Sequence, residues 1–179
     1  DNAYFPSNGV KFHGSYSLNT DNFLEYKDDT PFSIVSGSFE GVVPITNRFS
    51  ILPAVHGRLI FGKNIPFSKM NFMGGDIMER YLPEQLPFAG TTQVELMDNS
   101  LLIGALKLRQ RIGNIHYLTF TGNYALSSHK IKNILREENM FGCAITYGMD
   151  SMFGPLEASL NYTNHSDDVG FYINLGYKF

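Results

Sequence analysis

The side chains best suited to chemistry are few, and their spacing does not serve it. Ser127, Ser128 and His129 are consecutive, and His165 sits beside Ser166, Asp167 and Asp168. A nucleophile, its base and the group orienting that base normally come from separate elements, so neighbours in sequence rarely reach relay geometry. Gly37-Ser38-Phe39-Glu40-Gly41 keeps the outer glycines of a nucleophile elbow but has Phe where the serine should stand. The histidines, His13, His56, His116, His129 and His165, show no metal-ligand spacing. Cys143 is alone, so it cannot bridge within the chain, and it reads as a small apolar strand residue. No catalytic residue, metal ligand or cofactor is expected, and the chain itself is not expected to be an enzyme.

The remaining charges have a pattern of their own. Glu40, Arg48, Arg58, Lys107, Arg109, Arg111 and Glu157 all alternate with apolar residues, as do Lys11, His13, His56 and Lys178. Alternation at period two is the mark of strands with one apolar and one polar face. The last segment is the clearest case: Val169, Phe171, Ile173, Leu175, Tyr177 and Phe179 fall on one face, and Gly170, Tyr172, Asn174, Gly176 and Lys178 on the other. Its length suits a tilted membrane strand. Phe141, Cys143, Ile145 and Tyr147 behave alike, as do Leu156 to Tyr162, Leu118 to Leu126, Leu102 to Ile112, Phe49 to Phe61, Val35 to Ile45 and Val10 to Leu18.

About eight strands result, joined by turns of alternating length. Short turns are expected near Pro44–Asn47, Gly113–Asn114 and Ser151–Pro155, and long ones at 20–31, 62–97, 128–139 and 164–168. Ile131, Ile134 and Leu135 have helical spacing and read as a turn within the third long connection. The connection at 62–97, about 35 residues, is too long for an ordinary loop in a compact domain.

Composition fits a strand-built membrane protein. Charged residues are 17% against roughly 25% in soluble proteins. Aromatics reach 14% with no Trp, and the polar faces are mostly Ser, Thr, Asn and Gly. No stretch approaches the roughly 20 apolar residues of a membrane-spanning helix, so only a closed barrel could satisfy the backbone in lipid. A net charge of −3 gives no bulk attraction for nucleic acid. A soluble β-sandwich or lipocalin-like barrel would share the alternation with the faces reversed. The fold class is therefore all-β, an antiparallel transmembrane β-barrel forming a single domain over 1–179.

Three motifs resemble a known family. The ending Phe171-Tyr172-Ile173-Asn174-Leu175-Gly176-Tyr177-Lys178-Phe179 resembles the C-terminal signal read by the outer-membrane barrel-assembly machinery, with Phe171, Ile173, Leu175, Tyr177 and Phe179 as its alternating apolar set. Asp1-Asn2-Ala3-Tyr4-Phe5-Pro6-Ser7-Asn8-Gly9 resembles the start of a strand in the surface-antigen superfamily of sixteen-stranded barrels, which includes assembly factors and two-partner secretion transporters. Phe72-Met73-Gly74-Gly75 with Leu86-Pro87-Phe88-Ala89-Gly90 resembles the loop which that family folds into its lumen, in the form most like the barrel of patatin-like phospholipases. Assembly factors carry an anchoring Arg before the aromatic-Gly of that loop. Here the position is Pro87, and the nearest Arg is Arg80.

The resemblance implies an outer-membrane location in a Gram-negative bacterium and a loop site of Phe72, Gly74, Gly75, Arg80, Pro87, Phe88 and Gly90. That loop either packs on the wall or gates the lumen. The chain is either a complete small barrel or the C-terminal half of a larger one. Expected partners are outer-membrane lipid, the assembly machinery, and a second copy or an N-terminal domain. The expected role is non-catalytic anchoring or transport; the rival is a small lipid-acting enzyme or lipid-binding barrel. In a narrow barrel Glu40 and Glu157 would have to pair with the arginines; in a wide one the same charges would line water.

Overall fold

The computed structural model describes residues 5–20, 31–62, 65–75, 82–91, 96–136, 138–166 and 169–175. Arg80, Tyr177, Lys178 and Phe179, named above, lie outside them, as do Asp1 to Tyr4. The strands are β1 (Gly9–Asn19), β2 (Phe32–Pro44), β3 (Phe49–Phe61), β4 (Asn71–Met73), β5 (Gln85–Leu86), β6 (Leu96–Asp98), β7 (Ser100–Ile112), β8 (His116–Ser128), β9 (Glu138–Ser151), β10 (Gly154–Thr163) and β11 (Val169–Leu175). Eight of them form one antiparallel sheet in the order β1-β2-β3-β7-β8-β9-β10-β11. The three short ones form a second sheet, β5-β4-β6, inside the long connection between β3 and β7. The helical spacing after Ser128 becomes a single 3-10 turn, Ile131–Asn133.

Turn chemistry fixes the register at one end of the sheet. Thr46 Oγ1 accepts from the N–H groups of Arg48 and Phe49, closing β2 onto β3. Ser151 Oγ donates to Gly154 O at 2.6 Å and accepts from Phe153 N, closing β9 onto β10. These are local side-chain substitutes for ladder bonds.

Register then sorts the two faces. One row across seven strands reads Val43, Ile51, Leu108, Phe120, Ile145, Leu160, Phe171, apolar without exception. In mid-sheet Phe120 is 47% exposed, Ile145 52% and Leu160 53%. Nothing among the described residues covers this face, and so continuous an apolar band is not tolerated in water. On the opposite face a row reads Lys11, Glu40, Ala54, Ala105, Asn123, Gly142, Thr163.

That polar face is concave. The Phe5 ring reaches Gly148 on β9, where a Cβ would lie 3.0 Å from it. Five strand spacings separate β9 from β1, roughly 24 Å on a flat sheet. Phe5 and Gly9 span at most about 14 Å of chain, too little even with a phenyl ring added. The sheet must curl towards the polar side. It remains open: β1 bonds only β2, and β11 only β10, among the described residues. β1 is exposed on both faces along nearly its whole length.

Candidate functional site: a loop clamped to the concave face

The long connection folds down onto the concave face. β4 pairs with β5 in parallel and with β6 antiparallel, and Gly75 bridges Phe88. Phe72 lies in β4, its ring edge-on to Phe67 at 6.0 Å. Gln85 Nε2 donates to Gly74 O at 2.6 Å, and Thr91 Oγ1 accepts from Gly75 N while donating to Phe88 O. These bonds make the loop a small folded unit rather than a tether.

Its apolar residues point at the wall. Met73 and Phe88 are fully buried and Leu86 nearly so, in one cluster with Leu101, Ile103, Ala125 and Met140 of β7, β8 and β9. The wall residues occupy positions of the polar face. They are the apolar seat there, and sequence reasoning missed them. The run Leu101-Leu102-Ile103, apolar on both faces, was the available signal.

Beside Phe88 the backbone itself is gripped. Asn123 Nδ2 donates to Ala89 O at 2.5 Å and to Gly142 O at 3.3 Å, and Asn123 Oδ1 accepts from Ala89 N at 3.3 Å. One amide therefore satisfies both polar groups of Ala89. The approach is close because Gly142, next to Asn123 in the register, has no side chain: a Cβ there would strike Ala89 O and lie 2.6 Å from the Phe88 ring. Gly90 follows at φ +128°, and a Cβ on it would lie 2.6 Å from Tyr162 O, so both its backbone angle and its fit favour glycine. Asn123 and Gly142 were not singled out in the sequence.

The loop base is held from the wall as well. The Arg58 guanidinium donates to Lys69 O at 2.9 Å and to the side-chain oxygen of Asn71. Asn71, fully buried, returns two bonds through Nδ2, to Arg58 O and Asn99 O. Lys69 pairs with Glu84 at 3.6 Å across the base. At the exit, Asp98 meets His129 Nδ1 at 2.7 Å, tying β6 to the connection after β8. Arg58 thus reaches from the wall to the loop.

The other expected charges share the concave face. Glu40 is opposite Lys11, an attractive cross-strand pairing, so its neighbour is a lysine rather than an arginine. Lys107 faces Thr121, and Glu157 faces Gly148. Arg48, Arg109 and Arg111 gather at the short-turn end, where Arg109 donates to Pro6 O at 3.2 Å and lies over the Phe5 ring. Phe171, Ile173 and Leu175 alternate on the apolar face of the edge strand β11. Of the candidate relay groups, Ser128 donates to Lys130 O at 2.7 Å. No cluster of metal-ligating side chains occurs among the described residues.

An antiparallel sheet with an uncovered apolar face and a polar concave one, joined by alternating short and long turns, is the wall of a barrel-type outer-membrane protein. The chain belongs to the OMP85 superfamily, which it matches over residues 1–179. It is accordingly a bacterial outer-membrane protein. No curated protein matches it.

Proposed function

We propose that this chain is a non-catalytic wall segment of an outer-membrane barrel, and that its clamped loop is a plug occupying the lumen. It serves as a membrane anchor, or as a passage for a partner, rather than as a catalyst. The observation that carries this reading is the seating of Phe88–Gly90 on Asn123 and Gly142. A packed seat together with a two-way amide clamp holds a loop in one place, as a plug requires.

The size of the plug supports a wide barrel. An eight-stranded barrel has an interior just wide enough for side chains. A three-stranded sheet with its own hydrogen bonds needs more room, so the full wall has more strands than the eight of this sheet. The resemblance to patatin-like phospholipase barrels supports the anchoring form of the proposal, with hydrolysis left to another domain.

Conductance in planar bilayers tests the plug. The wild-type protein should be nearly silent, and Gly142→Val should show discrete openings because its side chain occupies the space of Phe88 and Ala89. Equal conductance in both, with the variant folded, would refute the plug.

A further inference from the structure

The geometry points to a binding site for a phosphate-bearing anion at the short-turn mouth, formed by Arg48, Arg109 and Arg111. Three observations carry it. First, Arg111 N donates to Arg48 O at 2.7 Å, so Arg111 near the end of β7 sits beside Arg48 in the turn that leads into β3, and Arg109 is two residues from Arg111 on the same face. Like charges side by side on neighbouring chain segments are destabilising, and Arg48 and Arg111 stand in that relation. Second, they line a small, partly open cleft of about 50 Å³ whose described lining holds no acidic side chain; the nearest acid, Glu157 on β10, acts on Arg109 alone of the three. Third, one wall of the cleft is fixed: Phe5 stacks on Tyr117 at 4.1 Å and 5°, and Arg109 is held against Phe5 and Pro6.

Division of labour follows. Arg109, half-buried and already bonded, sets the floor of the cleft. Arg48 and Arg111 are exposed, and their guanidinium groups offer forked donors matched to phosphate oxygens. A bound dianion would convert the repulsive pairing into an attractive one. The short turns of outer-membrane barrels face the periplasm, so the anion arrives from that side, either as a soluble phosphate compound or as a lipid headgroup at the rim.

The test uses the whole protein in a phosphate-free maltoside detergent, with inorganic pyrophosphate as probe and thermal unfolding as readout. Ligand that binds the folded state raises Tm. Wild-type Tm should rise with pyrophosphate well beyond the effect of sodium chloride at equal ionic strength. Arg48→Gln with Arg111→Gln should abolish that excess, and each single change should weaken binding about tenfold or more. Without pyrophosphate, Arg111→Gln should unfold at a higher temperature than wild type, because it relieves repulsion; an ordinary structural arginine would give the opposite sign. Arg136→Gln, at the other mouth, should respond like wild type. In phosphatidylcholine nanodiscs, competition by added phosphatidylglycerol would identify a headgroup, and no competition would identify a soluble anion. A wild-type shift no larger than that of sodium chloride, or an unchanged shift in the double variant, would overturn the site.

Discussion

Asn123 and Gly142 act together at the finest scale. The amide supplies three hydrogen bonds and the glycine supplies the space. Asn123→Ala leaves the backbone groups of Ala89 without their side-chain partner, so it should cost about 1–3 kcal/mol, read as a lower midpoint in urea. Phe88→Ala empties the centre of the loop seat and should cost about 3–5 kcal/mol in the same assay. Limited proteolysis should then cut the loop in either variant while the strands persist. Neither Asn123 nor Gly142 was legible in the sequence. An asparagine and a glycine on a polar strand face look like ordinary lining until a distant segment arrives, and Ala89 is 34 residues away.

Secondary structure was far more legible, because a period of two needs no tertiary information. Apolar sets such as Phe141, Cys143, Ile145 and Tyr147 assign a face by themselves, and the same sets emerge on one side of the sheet. Short turns were legible from Gly113-Asn114 and from Gly154-Pro155. The inner three-stranded sheet was not, since β4, β5 and β6 are two or three residues long and form only where the loop folds on the wall. The alternation broke at Leu101-Leu102-Ile103, and that break marked the seat. Face assignment has an energetic consequence. Phe120→Arg places a charge in mid-sheet on the apolar face and should destabilise folding into lipid by about 2–4 kcal/mol. Ser17→Lys, on the concave face of β1, should change it little. Urea titrations of vesicle-inserted protein, followed by heat-modifiable gel migration, would check both.

For the whole molecule, the open edges are the outstanding fact. Among the described residues β1 and β11 end the sheet with unpaired ladders, and lipid does not tolerate such edges. The edges run antiparallel to each other, because the number of strands between them is even, so either a second sheet or direct closure could satisfy them. The size of the docked loop favours the wider cylinder. Everything else depends on the sense of the wall, with the apolar face in lipid and the polar face lining the interior. Cysteine labelling tests that sense directly, in a Cys143→Ser background with single changes along β2. In vesicles a water-soluble maleimide should label Ser36→Cys and Glu40→Cys, while Val35→Cys and Phe39→Cys stay protected until the protein is unfolded. Labelling of Val35→Cys and Phe39→Cys with protection of the other two would mean that the apolar face is turned inward, and that the chain is not a membrane barrel wall.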